Sequence, residues 1–407
     1  MNRTINLKNP MLHGPLSMRD ESVRKKRNFV RSSKLGVILV ILTGMFAWQC
    51  SKMANSNTPQ STSSLKATIN TSAQNLSDAV TAISQTYGYK VLSLNENSTL
   101  KSTLAPVTFQ DSITLAKIKG VYEYQPSSYR HWCFACFDRL FKRTGDSNDL
   151  IVKMPSVKVF YPAKFRMVTQ SDSALKNNLV IDASDYHYYF SMGMLWDYKL
   201  AANVTLNDTA IGNIGIQSSR SSHSTYGYSS SYGFPNGYGI SVNVKSGDTA
   251  TSSIALTGSS GALLKETVNR FKPDSVHFRR QEYILDIGNI EFKKMSGVDS
   301  FMIYVSGVLQ THAKVQVVDT TEAAESICDG RDLKITFDDG TTTTLSALLG
   351  PSLTVLKSLV VNLQNVFFAT NVVDYIAFNI FRNQQTTMAV STVSSNMSSS
   401  SGNSQRY

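Results

Sequence analysis

The chain is short of the residues and motifs that announce chemistry. It has only four cysteines in 407 residues, Cys50, Cys133, Cys136 and Cys328, which excludes a disulfide-dense scaffold. It carries no Gly-x-Ser-x-Gly turn to expose a nucleophile, no His-Glu-x-x-His and no glycine-rich phosphate loop. It also lacks any uninterrupted apolar run near the ~20 residues that a membrane-spanning helix needs. No repeat of fixed period is present, which argues against a propeller or a solenoid. No catalytic residue, cofactor or resident metal is therefore expected.

What is present begins with charge. The net charge of +11 invites a nucleic-acid reading, but its location argues otherwise. Residues 1–34 hold nine Lys and Arg against Asp20 and Glu21, leaving only +4 for the rest of the chain. A charge so thinly spread makes no phosphate-binding stripe, so no nucleic-acid partner is expected. The basic run instead precedes Leu35–Ala47 (LGVILVILTGMFA), thirteen uncharged and mostly apolar residues. That length suits the apolar part of a secretory signal. Trp48, Gln49 and Cys50 follow, and then the polar stretch Ser51–Ser64.

The order of basic flank, short apolar run, cysteine and polar tether resembles bacterial lipoproteins. The resemblance covers residues 18–64 and implies that Cys50 is lipidated and becomes the first residue of the mature protein. The alternative is an uncleaved signal anchor with the apolar run extended through Trp48. Both place the body outside the cytoplasm, held to a membrane at the cell envelope, with the outer membrane or the cell surface as the expected location. The expected organisation is a signal sequence over 1–49, a flexible linker over 50–64, a globular body over 65–382 and a Ser-, Asn- and Thr-rich disordered tail over 383–407.

The body predicts a mainly β, α+β fold: antiparallel sheets in a sandwich or a curved open sheet, with an N-terminal amphipathic helix and a C-terminal helix packed on them. Ile69, Ala73, Leu76, Val80, Ile83 and Tyr87 recur every three or four residues, which puts them on one helical face, and Gly88 stands where that helix would end. From about residue 112 to 345, short apolar or alternating runs are separated by turn residues. Ile118–Tyr124, Leu150–Lys153, Val157–Phe160, Leu200–Leu206, Ile211–Ile216, Ile240–Val244, Ser253–Leu256, Tyr283–Phe292, Phe301–Val305 and Val308–Val318 read as strands. Leu333–Phe337 and Thr341–Leu345 bracket Asp338-Asp339-Gly340, a strong hairpin signal. Pro351 and the apolar positions from Leu353 to Phe367 predict a helix over about 351–369, and residues 372–381 read as a final strand. Two subdomains, 65–215 and 238–382, are conceivable around a long loop at 217–239.

Three features invite functional readings. Trp132-Cys133-Phe134-Ala135-Cys136 looks like the Cys-x-x-Cys motif of thioredoxin-like proteins, with Phe137, Leu140 and Phe141 at helical spacing behind it. Cys133 and Cys136 are candidates for a redox pair, a local disulfide or two buried thiols; metal binding with His131 is a further alternative, for which no second ligand pair is present. The loop Gln217–Gly239 sets Tyr226, Tyr228, Tyr232, Phe234 and Tyr238 among Ser and Gly, a composition suited to adaptable ligand contacts. Asp182, Ser184, Asp185 and His187 are close in sequence, but that does not make a catalytic triad, and they read as surface residues. The sum is an exported, lipid-anchored protein with a binding or structural role and an unidentified protein, glycan or apolar ligand as partner. A carrier of lipids and a thiol–disulfide oxidoreductase are the alternatives.

Overall fold

A computed structural model describes residues 58–92, 112–126, 140–160, 170–191, 195–221, 225–247, 249–271, 280–298, 300–319, 331–359 and 370–384. The fold is mainly β: one large, open, antiparallel sheet with a few helices.

The first helix, α1, runs from Thr62 to Ser84. The tether gives way to it at Ser61, whose hydroxyl caps the helix by accepting from the Ser64 N–H. Leu65, Ile69, Ala73, Leu76, Val80 and Ile83 are all buried, as their spacing demands. The helix stops at Gln85 rather than Gly88, and Tyr87 is exposed. A short helix α2 (Tyr87–Leu92) takes over there. Gly88 serves contact instead, because a Cβ on it would lie 2.1 Å from the Ile211 carbonyl oxygen.

The sheet starts with short pieces: β1 (Ile113–Thr114), helix α3 (Leu115–Ile118), β2 (Gly120–Tyr124), β3 (Phe141–Gly145), β4 (Leu150–Met154) and helix α4 (Ser156–Phe160). A 3-10 turn at Gln170–Ala174 follows, then β5 (Leu179–Phe190), β6 (Trp196–Leu206), β7 (Thr209–Arg220), β8 (Tyr226–Gly233) and β9 (Gly239–Ser246). Next come β10 (Thr249–Gly258), β11 (Gly261–Phe271), β12 (Gln281–Ile287) and β13 (Ile290–Met295). The last strands are β14 (Ser300–Val305), β15 (Val308–Asp319), β16 (Arg331–Phe337) and β17 (Thr342–Thr344). From β5 to β17 every strand pairs antiparallel with the next. On the other side β4 pairs with β5, β2 runs parallel to β4, and β3 pairs with β2. Among the described residues β3 and β17 do not meet, so the sheet has two edges.

Strand alternation puts one side chain in two on the buried face. Direct register links Leu200, Ile216 and Ser230, then Val242, Ile254 and Glu266, then Leu285, Phe292 and Ile303. A one-residue slip anywhere would turn this row to solvent, which is why the register holds. Tight turns close the hairpins: Asn207 and Asp208 both have positive φ, as do Ser306 and Gly307.

Helix α1 crosses one end of this meander, touching alternate turns. Lys66 pairs with Asp339 before β17, and the backbone N–H of Gln60 donates to Gln310 at 2.7 Å. Ser72 donates to Asn289 between β12 and β13, and Asn236 between β8 and β9 donates to the Ala82 carbonyl. At the far end Asn207 donates to the Tyr87 hydroxyl. Helices α5 (Leu345–Leu349), α6 (352–359) and α7 (370–384) complete the buried side. Their Leu349, Leu353, Leu356, Ile376 and Phe378 join the same continuous core.

Several local expectations are corrected. Residues 217–239 are not one long loop: Gln217–Arg220 end β7, Tyr226–Gly233 form β8 and Gly239 opens β9. Residues 372–381 are helix, not strand. Val372, Val373, Asp374, Ile376, Ala377 and Phe378 are all buried, and a helix buried on every side shows no period to read. Val157–Phe160 is helical, entered from Pro155, whose carbonyl accepts from the Lys158 N–H at 3.0 Å. Tyr283–Phe292 is two strands joined at Gly288-Asn289. Phe141 opens the edge strand β3 instead of continuing a helix.

Candidate functional site

Cys50, Cys133, Cys136, Cys328 and His131 all lie outside the described residues. The five aromatic candidates are all described: Tyr226, Tyr228 and Tyr232 are strand residues, and Phe234 and Tyr238 flank the turn between β8 and β9. Tyr226, Tyr228 and Tyr232 stand at even spacing on β8 and face the same side of the sheet. Tyr232 is buried and donates to the Ile211 carbonyl at 2.8 Å, and Phe234 packs edge-on against it at 5.0 Å. Tyr226 packs edge-on against Trp196 at 5.6 Å, with the Arg220 guanidinium over the indole at 5.3 Å. Tyr238 is half-buried. These five residues therefore belong mostly to the wall of the sheet.

The Asp182–His187 segment lies inside β5. A bulge after Ala183 leaves Ser184 exposed and unpaired in the ladder. Asp185 pairs with Lys199 at 2.5 Å, and His187 stands 3.6 Å from Asp197. The four residues do not converge on one point. Burial and the neighbouring Asp149 raise the Asp182 carboxyl above the usual carboxylate range.

The most unusual polar group is Asp374, buried in α7 where it meets the sheet. Its Oδ1 accepts two hydrogen bonds at 3.0 Å, from the hydroxyls of Tyr186 on β5 and Tyr198 on β6. Tyr188 stacks edge-on against Phe378 one turn along the helix, at 4.8 Å. Burial pushes the Asp374 carboxyl up to about 7 against the pull of the two hydroxyls. Glu266 faces the same interior from β11 between Ile254 and Leu285, and burial drives its carboxyl far upward too. A separate buried ion pair joins Lys158 and Asp172 at 2.7 Å, with the Tyr124 hydroxyl 3.2 Å from the same carboxylate oxygen. Among the described residues no three His, Cys, Asp or Glu side chains are placed to hold a metal, and no helix is long and apolar enough to cross a membrane.

A recess with room for a ligand lies elsewhere, at the β3 edge. A cleft of about 480 Å³ opens between the inner side of β2–β3 and the last turns of α7. Phe141 and Ile380 supply its apolar surface, Tyr122 one wall, Arg143 its charge, and Asn383 and Gln384 its amides. Sequence reading passed over it, because the residues that form it are separated by more than 200 positions. Comparison of the chain with protein-family models, with curated proteins and with solved structures gave no match.

Proposed function

We propose that the chain is an exported, lipid-anchored protein of the bacterial cell envelope whose β-sheet body acts by binding or as a structural element. The observation that carries the reading is the uninterrupted order of basic flank, thirteen-residue apolar run, Cys50 and polar tether. That tether leads straight into a capped helix and so delivers the body as a unit. Its partners are the membrane through the anchor and an unidentified protein, glycan or apolar ligand. A lipid anchor contributes about 0.8 kcal/mol per buried methylene, so more than one acyl chain on the cysteine makes attachment stable.

Growth of a bacterial host with radiolabelled palmitate tests this. The wild-type chain is expected to take up label and to fractionate with membranes, and Cys50→Ala to lose the label. An unlabelled wild-type chain recovered whole from the cytosol would overturn the reading.

A further inference from the structure

We propose that the cleft between β3 and α7 binds a small amphiphile: an anionic head, carboxylate or phosphate, on a short apolar chain. This deepens the reading of the body as a binding module and does not depend on lipidation of Cys50.

The head group is set by Arg143. Gly120, with φ +137°, opens β2 opposite this side chain. A Cβ at Gly120 would stand 2.8 Å from Arg143 Nε and 3.3 Å from Nη2. Bare backbone at that point is what lets the guanidinium lie along the cleft wall, where it also counters the burial-driven rise of the Tyr122 hydroxyl. Arg143 has one acidic neighbour, Asp146, at 2.6 Å. That carboxylate is three residues away and 91% exposed, so the pair is weakly held. A guanidinium has five donors in a fork that fits carboxylate or phosphate oxygens. Lys142 takes no part, because it stands opposite Glu123 on the other face of the sheet, where Glu123 also meets Lys153 at 3.1 Å.

The chain is set by the floor. Phe141 and Ile380 are buried yet line the cleft, so an apolar group entering it meets carbon. At the α7 end Gln384 donates to the Lys117 carbonyl at 2.8 Å, which fixes that boundary. The volume suits a single small molecule, within the ~300–1,000 Å³ of ligand pockets.

The test is calorimetric titration of the full chain, kept soluble in an amphipathic polymer, with decanoate, decyl phosphate, decanol and acetate. Decanoate or decyl phosphate is expected to bind, and decanol and acetate to bind at least tenfold more weakly. Preference for decanoate points to free carboxylates as the source, and preference for decyl phosphate to phosphate head groups. Arg143→Gln is expected to weaken binding by about tenfold or more, the size of a lost charge-assisted hydrogen bond, and Lys142→Gln on the opposite face to leave it unchanged. Both side chains are on the surface, so an unchanged near-ultraviolet circular dichroism spectrum will show that each variant is folded. Equal binding of decanol, unaffected binding by Arg143→Gln, or no binding of either anion overturns the proposal. None of these results alters palmitate uptake at Cys50, so the two readings fail separately.

Discussion

Tyr198 on β6 donates its hydroxyl to Oδ1 of Asp374 on α7 at 3.0 Å, across the seam where the C-terminal helix meets the sheet. Tyr186 does the same from the neighbouring strand β5. Asp374→Leu removes the acceptor and leaves both buried hydroxyls unpaired, at about 1–3 kcal/mol each. Urea denaturation is expected to show a loss of about 2–4 kcal/mol for that variant. Asp374→Asn keeps an acceptor oxygen, and the loss is expected to stay within about 1 kcal/mol. Equal losses from the two variants would mean that the hydroxyl contacts contribute nothing.

Stability is expected to fall as pH rises from about 4 to about 7. Asp374, raised to about 7, and Asp286, raised to about 6 by burial, keep their protons in the folded protein over a range where the unfolded chain has lost them. The folded state then binds more protons, so increasing pH favours unfolding until the folded groups ionise. Asp374 alone contributes a change of up to roughly 4 kcal/mol. Asp339 acts in the opposite direction. Lys66 and Thr341 hold its carboxyl at about 2, so its stabilisation is lost only below the usual carboxylate range. The urea midpoint is expected to be higher at pH 5 than at pH 8, and Asp374→Asn should shrink the difference. A midpoint that rises with pH would contradict this account.

The Lys158–Asp172 pair is buried on both sides, so its two halves should not be separable. Lys158→Met leaves a buried carboxylate without this cation and is expected to cost about 3–5 kcal/mol. Lys158→Met combined with Asp172→Asn should recover most of that loss, because the desolvation penalty disappears with the charges and an amide oxygen still accepts from the Tyr124 hydroxyl. Thermal melts of the three proteins, with the pair intact, halved and replaced, make the comparison.

Gly212 and Tyr232 interlock. A Cβ at Gly212 would lie 2.4 Å from Tyr232 Cζ and 2.6 Å from the Gly233 carbonyl oxygen. Gly212→Ala must therefore displace the ring and break its bond to Ile211, and a loss of about 2 kcal/mol or more is expected. Gly227→Ala is the control. Its Cβ meets only Ser219 Oγ at 3.6 Å, an ordinary contact, so its stability should change by less than about 0.5 kcal/mol. Chemical denaturation of both variants distinguishes a tight fit from a general intolerance of side chains in these strands.

Much of the sheet was legible because alternation is a local signal. Ile240–Val244 and Leu333–Phe337 declare their pleat within five residues, and Asp338-Asp339-Gly340 declares its turn. Strand β8 was equally periodic, with Tyr226, Tyr228 and Tyr232 in phase, but its Gly and Ser gave it the composition of a loop. Asp374 is a lone acid in the apolar run 372–381, and nothing local to it reveals its two tyrosine partners.

By itself, the sequence determined the order of basic run, apolar run and Cys50, the buried stripe of α1 and the antiparallel, mainly β character of the body. Each depends on residues a few positions apart, so chain order is enough to read them. Tertiary structure alone decided that the strands form one open sheet, that α1 crosses its alternate turns, and that residues 372–381 coil instead of extending. It also brought Tyr122 and Arg143 against Ile380, and Tyr186 against Asp374. Those meetings rest on burial shared by segments up to 200 or more residues apart, and no local pattern encodes which distant surface a side chain will be pressed against.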